Sequence, residues 1–257
     1  MATSFKIGLP GVPADLSRSG LRRHDLAYAY LKALLLDGGL EPGEQLSSDL
    51  VGRAMGISRA PVADAIRRLA MDGLIEVVTQ VGCRVVSPVP AEVADFYRLF
   101  AAAEAVIAGF SAERRTAEQA VALRQLLVEL SSRQGLPAEP DARAAELRRR
   151  NRVRYERLHE LAGSPLSAAI GAMFWDRSDF FLRVAFGRFD TPRYVTTAYR
   201  ALFDAVVEGD AETAARQAHD YLARLGGDVA AALARQVPAS GEDAVASAQR
   251  PVARQAR

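Results

Sequence analysis

Residues 46–78 read LSSDLVGRAMGISRAPVADAIRRLAMDGLIEVV, and the reading of this stretch decides the fold of the first third of the chain. Leu46, Leu50, Val51, Ala54 and Met55 recur at helical spacing, and Ser47 or Ser48 can cap the start of that helix. Gly56 ends it, because glycine takes the left-handed conformation without a Cβ penalty. Ser58 then stands as an N-cap, and Pro61 falls in the next helix's first turn, where its missing N–H does no harm. Val62, Ala65, Ile66 and Leu69 make one apolar face of this second helix, while Arg59, Ala63 and Arg67 fall on the other. A helix pinned along one face, with an arginine at its N-terminal end, can enter a DNA major groove end-on. Leu74–Val78 and Cys83–Val86 flank Thr79-Gln80-Val81-Gly82, the pattern of a two-stranded wing. The stretch therefore predicts a winged helix-turn-helix. Its expected DNA-facing residues are Ser48, Arg53, Ser58, Arg59, Ala60, Ala63, Arg67 and, on the wing, Gly82.

Working upstream, Tyr28–Leu36 is followed by Asp37-Gly38-Gly39-Leu40-Glu41-Pro42-Gly43-Glu44-Gln45-Leu46. This resembles the opening of the GntR family of bacterial repressors. That family's pattern of helix, glycine turn, L-x-P-G-x-x-L, helix, G-[VI]-S-R-x-P-V, helix and E-G-L-[VI] runs almost unbroken through residues 25–88. The resemblance implies operator binding by a homodimer, with Arg59 matching the arginine of the family's second motif. It also exposes two departures, since Asp49 and Ala63 stand where family members usually carry arginine.

Bulk charge adds little. The net charge is +2, and residues 1–88 hold ten Lys and Arg against nine Asp and Glu, so a positive footprint must come from placement of Arg53, Arg59, Arg67, Arg68 and Arg84. Cys83 is the single cysteine, which excludes an intrachain disulfide and a thiolate metal cluster. No apolar run approaches membrane-spanning length, and the N-terminus lacks a signal-peptide pattern, so a cytoplasmic location is expected.

Residues 1–20, with Pro10 and Pro13 and no usable periodicity, are expected to form a disordered arm. The winged domain spans 21–88, beginning with a helix from Asp25 to Leu36. Ser87-Pro88-Val89-Pro90 marks a boundary, because two prolines in three residues stop a strand and stiffen a hinge. From Ala91 the apolar pattern keeps a period of about 3.6 residues, which argues for an all-α second domain over 89–236. Helices are expected over Ala91–Glu113, Thr116–Ser132, Asp141–Leu161, Pro165–Phe186, from Thr191-Pro192 to Glu208, and from Gly209-Asp210 to Gln236. Residues 237–257 have little to bury and are expected to be a disordered tail. The fold class is thus mainly α: a winged helix with a small β wing, followed by a helical bundle.

Leu158–Pro165, Tyr199–Val206 and Glu208-Gly209-Asp210-Ala211-Glu212-Thr213-Ala214-Ala215 resemble the FCD effector domain of the FadR branch. That branch ends in H-R-x-[IL]-x-x-A-[IV]-x-x-G-D-x-x-x-A, which this chain follows apart from the histidine. Many members bind a divalent metal through an Asp and a His four apart on one helix, which puts both on one face, plus two later His. The matching positions here are Asn151, Tyr155, Tyr199 and Tyr221, so all four ligands are replaced and no metal or other cofactor is expected. Neutral tyrosine is a poor ligand because its phenol must first lose a proton. His24, His159 and His219 fall elsewhere and read as surface or hydrogen-bonded histidines. The arginines of Arg148-Arg149-Arg150-Asn151-Arg152-Val153-Arg154 spread around a helix and cannot form one stripe; Arg148, one turn before Asn151, can point inward to hold a carboxylate.

There is no G-x-S-x-G, P-loop or G-x-G-x-x-G, and no histidine in a catalytic pattern, so an enzyme is not expected. The sequence reads as a transcription regulator, a repressor in function. Its partners would be double-stranded operator DNA, a second copy of itself and a small effector, an organic acid or acyl compound, with no membrane. The effector would sit against Arg148, Asn151, Tyr155, Tyr199 and Tyr221. Two alternatives stay open: an acyl-CoA-responsive regulator, and a helical dimerising scaffold with a vestigial pocket.

Overall fold

The computed structural model describes residues 8–78, 82–132, 134–187 and 194–236, with the side chains of Asp15 and residues 194–199 outside that description. The first domain runs α1 (Ala14–Ser17), α2 (Arg23–Asp37), β1 (Gln45–Leu46), α3 (Ser48–Met55), α4 (Arg59–Met71), β2 (Ile75–Val78) and β3 (Gly82–Val85). Ser47 caps α3 by accepting from the Leu50 N–H at 3.1 Å. Gly56, at φ 66°, closes α3 and turns the chain into α4. Val62, Ala65, Ile66 and Leu69 are buried against Leu31 and Leu35 of α2 and Val51 of α3, so the apolar face read from spacing is the packed one.

The wing differs from expectation by one strand. The sheet order is β1-β3-β2, all antiparallel, with Gln45 opposite Arg84 and Leu46 opposite Cys83. Two residues of β1 carry too little pattern to announce a strand; they exist because β3 offers an open edge. Cys83 is buried there, its Sγ 3.2 Å from the Leu46 carbonyl oxygen, and burial pushes its thiol pKa up. Thr79–Val81, the wing tip, lies outside the described residues.

The expected N-terminal arm is also corrected. Leu9 and Val12 pack on the core, and the Tyr30 hydroxyl donates to the Pro10 carbonyl, so residues 8–17 are docked on α2. Residues 1–7 and the proposed tail, 237–257, lie outside the described residues.

The second domain is α5 (Pro90–Arg114), α6 (Ala117–Ser131), α7 (Pro140–Leu161), α8 (Pro165–Phe186), α9 (Tyr194–Glu208) and α10 (Ala211–Gln236). Thr116 and Gln119 form a reciprocal capping box on α6, and Pro90, Pro140 and Pro165 open their helices. The most extensive helix pairing joins α5 to α10, where Gly226 lies against the Tyr97 ring. Phe96, Tyr97, Phe100, Phe174, Trp175 and Phe181 make an aromatic core between α5 and α8. Among the described residues no helix is long and apolar enough to cross a membrane.

Within the arginine run on α7, Arg148, Arg150, Arg152 and Arg154 tie elements together, while Arg149 stays exposed. Arg150 is buried and donates to the Ser132 and Gln134 carbonyls; Arg154 reaches the Leu130 carbonyl at 2.7 Å. Arg149 and Arg150 hold Glu146, whose carboxyl is pushed down to about 2 by those two hydrogen bonds. Arg148 donates to the Leu36 carbonyl at 2.7 Å and pairs with Asp37, bracing the C-terminal end of α2.

Candidate DNA-binding face and buried polar site

On the first domain, α4 presents its first turns outward. Ser58, Arg59 and Ala60 are exposed, as is Arg67, while Ala63 is half-buried between them. The Ser58 side chain makes no capping hydrogen bond, so its hydroxyl stays available at the helix N-terminus. Arg53 is exposed, and a shallow groove between α3 and α4 is lined by Asp49, Gly52, Arg53, Gly56, Ile57, Ser58 and Arg59. Ser48 is half-buried at the start of α3, and Gly82, at φ 118°, opens β3 beside the wing tip. The predicted row is therefore brought together on one surface, but it is largely neutralised. Arg59 is held through its Nε by Asp49, Arg67 pairs with Asp64, and Arg84 pairs with Glu76 at 2.8 Å.

In the second domain, Asn151 and Tyr155 lie one turn apart on α7, and both are buried. Tyr155 stacks on Trp175 with ring centroids 4.3 Å apart and 3° between planes. Across from them, α8 brings Asp176 and Asp179 into the interior. Asp176 is paired twice, by Lys32 of α2 and by Arg152 of α7 at 2.5 Å. Asp179 is 1% exposed, and among the described residues neither of its oxygens has a hydrogen-bond partner; the same holds for Asn151 Oδ1 and Tyr155 Oη. Burial pushes the Asp179 carboxyl up to about 7, with the Asp176 charge adding to the rise and Arg148, Arg152 and Lys32 opposing it. Burial, then the Asp179 charge, push the Tyr155 phenol above its ordinary value. Tyr221 is buried on α10, and the side chain of Tyr199 on α9 lies outside the described residues. A second buried polar group sits nearby: His159 Nε2 is 3.0 Å from Glu104, which also accepts from the Trp175 indole N–H at 3.2 Å. His159 is thus a hydrogen-bonded interior histidine, and His219 is exposed.

Residues 24–85 match the bacterial regulatory proteins of the gntR family, and residues 95–224 match the FCD domain. An HTH-type transcriptional regulator in an unstable DNA locus of Streptomyces ambofaciens is 30% identical over 80% of this chain and 84% of its own length. The chain belongs to the GntR family. Among solved structures, E. coli McbR/YncC superposes with a TM-score of 0.64 at 20% identity, covering 84% of this chain and 99% of that one. A GntR regulator from Rhodococcus sp. RHA1 gives 0.61 at 18% identity over 84% of this chain and 99% of that one. At such identities these two show the shared fold, a winged helix joined to a helical domain. The family and its relatives are transcriptional regulators, not enzymes.

For this GntR regulator, the metal that the FCD resemblance implies can be tested on its own side chains. Asn151 offers a neutral amide oxygen, and the raised pKa of Tyr155 keeps its phenol protonated. Among the described residues, no group of three or more His, Cys, Asp and Glu is placed to hold a metal ion. Among the described residues, the donors at these positions, Asn151, Tyr155 and Tyr221, do not suit a divalent ion. Arg148, expected to point inward at a ligand, is instead held at the junction with α2. Sequence reasoning also missed Asp176 and Asp179. The only signal was their place in the run Phe174-Trp175-Asp176-Arg177-Ser178-Asp179-Phe180-Phe181, where two aspartates that share one helix face are flanked by aromatic residues.

Proposed function

We propose that this GntR-family protein is a homodimeric repressor that binds a two-fold operator through α4 and leaves it when a small organic effector occupies the interior of the FCD domain. The observation that carries this reading is the outward row Ser58, Arg59, Ala60 and Arg67 on a helix whose opposite face is locked into the core. One such helix reads too few base pairs for useful specificity, so two copies are needed. A face for the second copy is available on α5, where Leu99 and Val106 are 61% and 55% exposed beside a groove lined by Gly109, Phe110 and Ala215. The effector half is supported by the orphaned polar atoms of Asn151, Tyr155 and Asp179 in the heart of the second domain. No metal bridges protein and effector in this reading, and an organic acid would lack the Arg148 anchor first expected for it.

Selection of binding sites from random duplexes by the full-length protein tests this. The expected product is a palindrome whose half-site centres lie about 10 base pairs, or a multiple of that, apart, with two chains per duplex by sedimentation. Placed downstream of a constitutive promoter, that site should lower reporter output when the protein is made. Failure to enrich any sequence, or enrichment of an unsymmetrical one bound by a single chain, would sink the reading.

A further inference from the structure

The buried cluster between α7 and α8 has a chemical polarity of its own. Among the described residues Asp179 keeps both carboxylate oxygens without hydrogen-bond partners, and the orphans on the facing α7, Asn151 Oδ1 and Tyr155 Oη, are further oxygens. The cations whose charges reach Asp179 are committed elsewhere: Lys32 and Arg152 to Asp176, and Arg148 to the Leu36 carbonyl and Asp37. A buried carboxylate left unbonded is expensive, and interiors built for stability alone satisfy such groups. We infer that this cluster receives the protonated amine of a small organic ligand, with Asp179 as counter-charge and Asn151 and Tyr155 as flanking acceptors.

This rests on the effector-site reading and reverses the charge first expected of the effector. An ammonium carries three N–H donors and no acceptor, which matches three acceptor-bearing side chains. A carboxylate would set like charge against Asp179 in a medium where that repulsion is poorly screened. The pH behaviour follows from the groups facing the site, namely Lys32, Arg148, Arg152, Tyr155 and Asp176. Asp179, raised to about 7 by burial, must be ionised to pair with an ammonium, so affinity should rise between pH 6 and pH 8. The sign for stability is opposite to that of a salt-bridged aspartate. A carboxyl raised in the folded state favours folding while protonated, and that contribution is lost as pH climbs from about 4 through about 7.

Melting of the full-length protein and of Asp179→Asn at pH 5.5 and pH 8 tests the cluster without knowledge of the natural ligand. Asp179→Asn should melt above wild type at pH 8, by a margin that shrinks at pH 5.5. Methylammonium, putrescine and agmatine, compared at equal ionic strength with acetate, lactate and succinate, test the class. At least one amine should raise the wild-type melting temperature, more at pH 8 than at pH 6, and Asp179→Asn should abolish that shift. Tyr155→Phe should weaken it while leaving the melting temperature without amine within a few degrees. The inference is overturned if Asp179→Asn melts below wild type at both pH values, if carboxylates shift melting and amines do not, or if neither class does. Operator selection by the unaltered protein separates the two readings. A protein that selects an operator yet fails here loses only its ligand class; one that selects none loses the regulator reading, while melting still judges Asp179.

Discussion

Arg59 begins α4 with its guanidinium Nε held by Asp49 while its side chain stays 78% exposed, which leaves the two terminal nitrogens accessible as a fork. A guanidinium fork of this kind suits guanine O6 and N7, and in the proposed operator complex such a contact would discriminate by about 1–3 kcal/mol. Arg59→Ala should therefore cut the preference for operator over scrambled duplex by roughly 5- to 150-fold, read from paired binding isotherms; undiminished preference would remove Arg59 from the recognition surface. Asp49 acts in two directions at once. Its carboxylate repels phosphates, and it braces the arginine. Asp49→Ala should tighten binding to any duplex while lowering the ratio between operator and scramble, and tighter binding with an unchanged ratio would show that the brace orients nothing. Such a divided role was half visible in the sequence. An acidic residue in place of the family's arginine was legible, but its pairing with Arg59 needed the α3–α4 turn that brings residues ten apart into contact.

The α5–α10 pair is the element on which the second domain depends, and Gly226 sets how closely the two helices approach. A Cβ there would run into the Tyr97 Cβ and the ring carbons Cγ and Cδ2, so Gly226→Ala should lower stability by about 1–3 kcal/mol, measured by chemical denaturation. Gly227 faces open space, and Gly227→Ala should be neutral or mildly stabilising; equal effects at both positions would mean the packing is looser than it stands. Helix bounds were legible because their signals are local: Pro140 and Pro165 fit only a first turn, Thr116 and Gln119 close a capping box, and Gly56 takes a positive φ. What stayed illegible depends on distant partners. β1 exists only through its pairing with β3, nearly forty residues on. The destinations of Arg148, Arg150 and Arg154 are carbonyls on other elements, which no helical wheel names. The candidate site divides the same way: the positions of Asn151 and Tyr155 could be read, whereas the unpaired state of Asp179 could not.

The two domains are joined by more than the Ser87–Pro90 connection. Lys32 of α2 reaches Asp176, Arg183 of α8 donates to the Leu40 carbonyl at 3.0 Å, and Arg148 of α7 caps the end of α2. Asp176 is the shared member, because it also holds Arg152, which lies between Asn151 and Tyr155 on α7. A ligand that engages Asp179 alters the field at Asp176 and Arg152, and so bears on the grip that α8 has on α2 at Lys32, three positions before the buried Leu35 of the helix that packs on α4. Lys32→Met tests this route, since methionine keeps most of the apolar stem and removes only the charge that Asp176 holds from the DNA-binding side. The Asp176–Arg152 pair survives in that variant; because the Lys32 charge also holds the Asp179 carboxyl down, release is compared at pH 8 and at ligand concentrations matched to each protein's own affinity measured without DNA. Ligand-driven release from the operator should fall, by up to the 5- to 150-fold that an ordinary coupling energy of about 1–3 kcal/mol represents. Linkage supplies an internal check. If Lys32 carries the coupling, operator DNA must weaken ligand binding to wild type by the same factor by which ligand weakens DNA binding, and both factors must shrink together in Lys32→Met. A variant that releases DNA as fully as wild type would show that the signal reaches α4 through the Arg183 or Arg148 contacts instead.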